Sequence, residues 1–422
     1  MAQFGGRGSK KHSRRKVGLV AQRTGGEWLA RGSAALVLAI LGYLSTTSSL
    51  AQVVVRGDPS RAHALAPGDG VIMAQYAEQA FSLTPTDRKD SLPSSLSRRA
   101  LIADPTATDA LTVLGFQAQL SSNPDETDRI FSYSTRLSRR ELRPRIWAIE
   151  QAVMKGDIAG ALRNYDIALR TSKDAPGMLF PTLSAALSGP RIRAALLPIL
   201  GSGPVWKEDF IAYAASSGIE PEGTIALLQD GSKYGLEPTE SQRADLVNAL
   251  VSRNKPQHAW AYYASFRPAV EQDRSRDPEF ALEAPVRTVF DWRAGSDTRL
   301  SAAILRQGKS GLLDFAVPPS VGGELVQQTQ LLPAGTYRFT GRSVGIEQPE
   351  GSRPYWTLSC QDGQRVGNVT VPNSSQNDGK FSGVFVVPQG CKTQTLSLVA
   401  RSTDDILGVS GQIEYAEIVR VK

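Results

Sequence analysis

The pattern of hydrophobic and polar positions changes along this chain and divides it into regions of different structure. Residues 33–55 are apolar and uncharged, residues 56–268 repeat apolar positions at helical spacing, and residues 286–422 alternate apolar and polar positions in short runs. A period near 3.6 residues predicts amphipathic helices, whereas a period of two predicts strands. We therefore predict a multidomain chain with a transmembrane helix, an all-α domain and a C-terminal all-β sandwich.

The helical pattern is clearest in the stretch KGDIAGALRNYDIAL, residues 155–169. Asp157 is a suitable helix N-cap after the turn residue Gly156, and one apolar stripe follows it. The preceding stretch RIWAIEQAVM has the same period, which predicts a helical hairpin, and helical segments continue as far as QHAWAYYASF. The stripe consists of Ile158, Ala161, Leu162, Tyr165, Ala168 and Leu169.

Shifting this hairpin back by 34 residues places it on a second helical stretch with similar small and aromatic positions. A period of 34 residues is that of the tetratricopeptide repeat. Gly115 follows a Leu, as in the Leu-Gly pair of that family's first helix, and Ala161, Tyr165 and Ala168 match the small and aromatic positions of its second helix. Residues 74–176 resemble this family, although the early Trp of the repeat is missing.

The resemblance implies a solenoid whose concave groove binds a protein partner through residues of each first helix. An ordinary solvated surface is the alternative for the same positions. Phe116 and Ile146 are the informative ones, because exposed apolar side chains in a groove indicate recognition. The groove positions are Asp109, Thr112, Phe116, Gln119, Arg143, Ile146, Glu150 and Val153.

Residues 269–285 lose the helical period and gain charge and proline, which predicts a linker between the domains. From residue 286 the chain reads as short strands separated by Gly, Pro, Asn and Asp, and this predicts a sandwich, with a jelly roll as the first choice. In RPYWTLSC, strict alternation places Trp356 on the inward face. The predicted strands are TVFDWR, LSAAIL, GLLDFAV, GTYRFTGRSV, RPYWTLSC, GKFSGVFVV, TQTLSLVA and GQIEYAEIVRV.

The chain has two cysteines, Cys360 and Cys391, and both fall in the predicted sandwich. In an oxidising compartment a single pair is most simply a disulfide, although two separate buried thiols are the alternative. The three histidines are far apart in sequence and supply no metal-ligand spacing. We expect no metal and no cofactor.

The formal net charge of +7 is concentrated at one end of the chain. Residues 1–32 hold eight Lys or Arg and one acid, which leaves 40 basic and 40 acidic residues in the rest. A nucleic-acid binder needs its basic excess on the folded surface, so this class of function is excluded.

The basic segment of residues 1–32 directly precedes the apolar segment of residues 33–55. About 24 uncharged residues give a helix of about 36 Å, which is enough to cross a hydrocarbon core of about 30 Å. By the positive-inside rule the tail is then cytoplasmic and the folded part periplasmic, in a single-pass protein of the bacterial inner membrane. The alternative is a signal peptide cleaved near Ala51 and release into the periplasm.

The position of a sandwich after a periplasmic helical array resembles that of carbohydrate-binding modules. This resemblance implies that glycan is a possible second partner. Tyr355 beside Arg353 could stack on a sugar ring and donate hydrogen bonds to its hydroxyls. The alternative is that this sheet face is covered by the helical domain.

No pair or triad of residues in the sequence indicates a catalytic site. Phosphate-binding loops, GxSxG and HExxH are missing, and no nucleophile has an evident base. We therefore predict a non-enzymatic, membrane-anchored scaffold that binds a protein partner in polysaccharide or cell-envelope assembly. One alternative is a glycan-binding protein acting through the sandwich, and a second is a carbohydrate-active enzyme with an unrecognised site.

Overall fold

A computed structural model describes residues 25–267, 269–308 and 310–421. Most of the predicted basic tail, residues 1–32, lies outside the described residues. The chain divides into two compact units, residues 1–148 (unit 1) and residues 149–422 (unit 2). The division lies inside a helix, and so differs from the sequence prediction, which places the domain boundary at residues 269–285.

The described residues form fourteen α-helices before the first strand, as the helical periodicity predicts. Unit 1 contains α1 to α6 and the start of α7. Unit 2 contains the end of α7 and α8 to α14. Their bounds are α1 Gly25–Val54, α2 Pro59–Leu65, α3 Gly70–Leu83, α4 Leu92–Ala103, α5 Thr108–Leu120, α6 Pro124–Leu137, α7 Leu142–Met154, α8 Ile158–Thr171, α9 Ala175–Ala185, α10 Pro190–Gly201, α11 Lys207–Ser217, α12 Pro221–Asp230, α13 Glu240–Ser252 and α14 Pro256–Phe266.

Local signals in the sequence explain where these helices begin and how they approach each other. The predicted N-cap of α8 is confirmed, because Asp157 accepts a hydrogen bond from the Gly160 N–H at 2.8 Å. Of the predicted stripe, all but Ile158 is buried. Gly115 in α5 lets another helix come close: a Cβ there would lie 2.2 Å from the ring of Phe131.

Helix α1 has two different environments along its length. Its apolar side chains from Leu36 to Leu44 are exposed around the helix, and among the described residues α1 is the one helix long and apolar enough to cross a membrane. Its last residues instead join the core of unit 1, where Ala51 is fully buried and packs in one cluster with Ile72. Gln52 also donates a hydrogen bond to Asp69 at 3.1 Å.

The described part of unit 2 ends in a two-sheet antiparallel sandwich. The sheet orders are β1-β4-β9-β6-β7 and β2-β3-β10-β5-β8. Numbering β3 to β10 as eight successive strands gives the orders 2-7-4-5 and 1-8-3-6, which is the connectivity of a jelly roll. The strands are β1 Arg293–Ala294, β2 Ser301–Gln307, β3 Ser310–Val317, β4 Gly323–Gln330, β5 Gly335–Val344, β6 Tyr355–Cys360, β7 Arg365–Thr370, β8 Lys380–Val387, β9 Gln394–Ala400 and β10 Val409–Arg420.

The core between the two sheets is built from alternating inward positions, as predicted. Trp356 is fully buried and its ring centroid lies 5.2 Å from that of Phe339 and 5.5 Å from that of Trp292. Cys360 on the same face of β6 forms a disulfide with Cys391, 31 residues further along the chain. The disulfide joins the end of β6 to the loop before β9.

Residues 269–285, predicted as a linker, contain no helix or strand but are built into the sandwich. The Ser275 N–H donates to the Ile418 carbonyl at 3.0 Å, and the Ala416 N–H donates to the Pro278 carbonyl at 2.9 Å. Phe280 is fully buried in the core between the sheets. The charged, proline-containing sequence therefore pairs with the end of β10 through backbone hydrogen bonds and is not a free tether.

The same segment fastens α14 to the sandwich. Arg276 is buried and donates hydrogen bonds to the Phe290 carbonyl at 3.0 and 3.1 Å and to Gln330 at 2.7 Å, with a further bond to the Thr329 carbonyl. Its guanidinium also lies 5.3 Å from the ring centroid of Trp260 in α14. Burial lowers the pKa of Arg276 to about 10, so it remains a cation at neutral pH.

Candidate functional site

An open cleft crosses the outer face of the sheet β2-β3-β10-β5-β8, and we call it the sheet-face cleft. Its volume is about 890 Å³, compared with about 690 Å³ for another depression of unit 2. Four strands contribute to it, so its walls are held by the ladder hydrogen bonds of the sheet. Its lining includes Leu312, Thr340, Arg342, Lys380, Phe381, Ser382, Glu414 and Tyr415.

The strand register explains why these side chains meet. Arg342 in β5 lies opposite Tyr415 in β10 on one side and Lys380 in β8 on the other. Thr340 lies opposite Ser382 in the next outward row. Residues directly opposite each other in an antiparallel pair have their Cβ atoms about 4.5 to 5.5 Å apart, so these rows form a continuous surface.

A β-bulge turns Tyr415 outward. Ile413 is fully buried on the inner face, and regular alternation would place Tyr415 on that face too. The register shifts between Ile413 and Tyr415, so that Tyr415 pairs with the exposed Arg342 and Ala416 takes the inner position. Bulges commonly redirect one side chain beside a functional site.

The Tyr415 hydroxyl is fixed by two further residues. It donates a hydrogen bond to Glu417 on the same strand, and Arg274 donates to the other carboxylate oxygen of Glu417 at 2.7 Å. Burial and the hydrogen bond to Glu417 raise the pKa of Tyr415 to about 12, so the phenol remains neutral. The ring is therefore held in one orientation at the cleft.

The charges of the cleft are balanced. Arg342 forms an ion pair with Glu414 at 3.4 Å, and the remaining charged groups on the lining are Lys380 and Glu279. Two cations and two carboxylates give no net attraction for an anion or a cation, but they supply hydrogen-bond donors and acceptors of both kinds.

This combination suits a neutral ligand that carries many hydroxyl groups. The face of an aromatic ring packs against the C–H face of a sugar, while charged and hydroxyl side chains bind its hydroxyls. Leu312 is buried beneath the cleft and gives it an apolar floor, whereas Phe381 reaches its lining from the core between the sheets. Such a mixture of an apolar surface with a few polar groups is typical of small-ligand sites.

The glycan-binding residues predicted from sequence, Arg353 and Tyr355, lie at the other sheet. Tyr355 is half-buried on the outer face of β6, and the guanidinium of Arg401 lies 4.8 Å from its ring centroid. Arg353 donates to the Gln348 carbonyl at 3.2 Å. The face of Tyr355 is thus covered by Arg401 rather than free for a sugar ring.

The predicted groove positions have unequal access to solvent. Thr112 is 3% exposed, so it belongs to the helix packing and its assignment to the groove surface is wrong. Phe116 is half-buried, with its ring centroid 5.4 Å from that of Phe131 in an edge-to-face contact, and Ile146 is also half-buried. The exposed positions are Gln119, Arg143, Glu150 and Val153.

Two groove positions of unit 1, Asp109 and Arg143, lie in one charged cluster. Arg143 forms an ion pair with Glu78 of α3, and the Thr108 hydroxyl donates to Glu141 at 2.9 Å. Burial, followed by the charges of Glu78 and Glu141, raises the pKa of Asp109 to about 6, against the opposing effect of Arg143. The cluster therefore has more carboxylates than cations.

No metal site is evident in residues 25–421 as far as they are described, where no group of three His, Cys, Asp or Glu side chains converges. The predicted disulfide between Cys360 and Cys391 is present, with sulfurs 2.03 Å apart. Such a bond is typical of proteins in an oxidising compartment.

Neither a family model nor a curated protein sequence matches this chain. Similar solved structures include TmCBM61 in complex with β-1,4-galactotriose (16% identity, 37% of this chain, 99% of that chain, TM-score 0.24). Others are the active domain of bacteriophage CBA120 tailspike protein 4 (13%, 36% and 21%, 0.24) and PilF of Pseudomonas aeruginosa (13%, 47% and 93%, 0.24). The chain spans about a fifth of the tailspike domain, and TM-scores this low leave any functional argument to the chain's own residues.

Proposed function

We propose that this protein is a membrane-anchored, non-enzymatic component of the cell envelope whose sandwich binds a neutral polysaccharide in the sheet-face cleft. The observation that carries the proposal is the outward Tyr415, held by Glu417 and Arg274 beside the balanced pair of Arg342 and Glu414. A fixed aromatic ring among paired charges favours an uncharged, hydroxyl-rich chain over an anionic one.

Anchoring is supported by the two environments of α1. Its exposed apolar length suits a lipid surface, whereas its end is packed into unit 1. Signal-peptide cleavage near Ala51 would cut within the helix at a fully buried residue. Cleavage there would separate α1 from the core that its last turn packs into, so this packing favours the uncleaved anchor, with the folded part outside the inner membrane.

The binding proposal can be tested with the full-length protein in detergent and a panel of neutral and uronic-acid oligosaccharides, measured by microscale thermophoresis. Tyr415→Ala should weaken binding of a neutral ligand roughly tenfold, because it removes the stacking surface. Tyr415→Phe should weaken it less, since the ring remains while the bond to Glu417 is lost.

Tyr355→Ala is the matched control, because Tyr355 is a tyrosine on the outer face of the opposite sheet. Binding that is unchanged in Tyr415→Ala and lost in Tyr355→Ala would move the site to the residues predicted from sequence. Shortened oligosaccharides formed by the wild type, and not by Glu414→Gln, would show that the protein is an enzyme.

Protein binding by unit 1 is a second candidate function, and the charged cluster around Asp109 favours it. The cluster combines two predicted groove positions with an excess of carboxylates, which complements a basic partner segment. Crosslinking in cells should capture a partner with the wild type and less of it with Asp109→Ala. Equal capture by both would remove the groove from the function.

A further inference from the structure

A second cavity, in unit 1, lies close to the end of the apolar helix α1. It has a volume of about 890 Å³ and is formed by α3, the start of α4 and the turn between α1 and α2. We call it the juxtamembrane cavity. The lining residues used below are Asp58, Tyr76, Leu83, Arg88, Ser91 and Leu92.

The position of this cavity relative to α1 is fixed by packing. Gly57 and Asp58 line it and follow Val54, the last residue of α1, by three and four residues, so they lie within roughly 14 Å of the helix end. Ala51 is anchored in the core of unit 1, so this separation cannot vary by movement of a loose tether. The Asp58 N–H donates to the Val54 carbonyl at 2.9 Å, so the cavity wall begins at the helix end and adjoins the polar region of the leaflet, which is about 5 to 8 Å thick.

The cavity has an apolar side that faces solvent. Leu83 is 77% exposed and Leu92 is 53% exposed, although both line the cavity. Val53, the residue before the end of α1, is 74% exposed. Exposed apolar side chains are therefore found both at the end of α1 and at the cavity, as expected of surfaces in contact with lipid.

The cavity also has a polar side, on which one buried side-chain oxygen lacks a hydrogen-bond partner. Ser91 is the N-cap of α4, but its side chain makes no capping hydrogen bond, and its Oγ is buried without a partner. At the start of α4, Pro93 has no N–H and the Ser95 N–H donates to the Ser91 carbonyl, which leaves the N–H groups of Leu92 and Ser94 for an anion. Arg88 lies beside them in an exposed ion pair with Asp90, and such pairs are readily exchanged.

We propose that the juxtamembrane cavity binds a phospholipid of the bilayer that α1 crosses. The phosphate lies at the start of α4 near Arg88 and Ser91, and the upper acyl chains lie along Leu83 and Leu92. The observation that selects a lipid over a free anion is the exposure of Leu83 and Leu92 at a cavity whose wall directly follows the end of α1. This inference rests on the membrane anchoring proposed above.

The test uses the full-length protein in nanodiscs that contain phosphatidylglycerol with a photoreactive diazirine in its upper acyl chain. After irradiation, mass spectrometry locates the lipid adducts. We expect adducts on the peptides that carry Tyr76 and Leu83. Leu83→Glu should lower these adducts at least fivefold, whereas the matched variant Ile102→Glu, at an 83% exposed apolar residue of α4 outside the cavity lining, should not change them.

Ser91→Asp separates lipid binding from a structural role. Asp is a good N-cap, so the variant should keep or raise the melting temperature, but its carboxylate occupies the free N–H groups and repels phosphate. We expect fewer cavity adducts without loss of folding. Unchanged adducts in both Leu83→Glu and Ser91→Asp would overturn the proposal.

Carbonate extraction of membranes from cells that express the full-length protein tests the anchoring separately. Release of the wild-type protein would overturn the anchor and with it the lipid site. Retention of the protein, with adducts on α1 and none in the juxtamembrane cavity, would overturn the lipid site alone.

Discussion

Replacing Asp109 with Asn should stabilise unit 1 at neutral pH. The substitution keeps the size of the side chain and removes its charge. Asp109 lies in the cluster with Glu78, Glu141 and Arg143, where burial and two carboxylates raise its pKa to about 6. The ionised form is therefore disfavoured in the folded state, and Asn resembles the protonated form that the folded state prefers.

The magnitude follows from linkage between protonation and folding. The pKa of Asp109 is about 6 in the folded state, against 3.8 as the ordinary value. Below pH 3.8 both states are protonated; between about 4 and 6 only the unfolded state ionises, so stability falls as pH rises through this window. Two pH units at about 1.4 kcal/mol each give about 3 kcal/mol, and partial solvent access reduces this to about 2 kcal/mol.

Hydrogen exchange of the α5 amides in the full-length protein reports the local free energy of opening and avoids a two-state assumption for the whole chain. The advantage of Asp109→Asn over the wild type should be smallest near pH 4 and reach about 2 kcal/mol above pH 7. Asp128→Asn, at an exposed residue of α6, is the control and should show no such trend. An advantage that is absent at pH 7.5, or equal at pH 4 and pH 7.5, would refute the reasoning.

Three further substitutions test the packing. Arg276→Met should cost unit 2 about 3 kcal/mol or more, because buried carbonyls lose their donor; chemical denaturation that shows less than about 1 kcal/mol would contradict this. Cys360→Ser should lower the melting temperature under oxidising conditions, by a disulfide contribution of about 3 to 4 kcal/mol; an equal loss in reductant would speak against a covalent role. Ala161→Leu should cost about 1 to 3 kcal/mol, because Ala161 is 5% exposed; a variant as stable as the wild type would refute the close helix crossing.

Periodicity was sufficient to predict the elements whose inward positions are all apolar. The stripe of α8 and the alternation around Trp356 and Phe339 both predict the buried faces found in the structure. The pattern does not predict β4, because two of its inward positions are Gln328 and Gln330, which are fully buried and form hydrogen bonds with Arg276. A run of polar residues lacks the alternation of apolar and polar positions that predicts a strand. The arginine that makes the buried glutamines favourable here is about 50 residues away in sequence.

The candidate site depends on features that have no short-range signal. Tyr415 faces outward only because the bulge after Ile413 breaks the alternation of β10. Arg274, which fixes Glu417, belongs to a segment whose charge and proline content predict a linker. Tyr355, by contrast, lies at the outward position that alternation predicts, but the Arg401 that covers its ring is far from it in sequence.

The shared end of α1 has a consequence for how unit 1 responds to its surroundings. Ala51 and Val55 belong to the core of unit 1, and Ala51 also to the helix that crosses the bilayer in the proposed arrangement. A bilayer that is too thick or too thin pulls on or tilts a spanning helix, at a modest free-energy cost per Å of mismatch. Because α1 enters the core without an intervening loop, that strain reaches Ala51 and Ile72 directly. In the proposed arrangement, lipid thickness is therefore a determinant of the folding free energy of a domain that lies outside the bilayer.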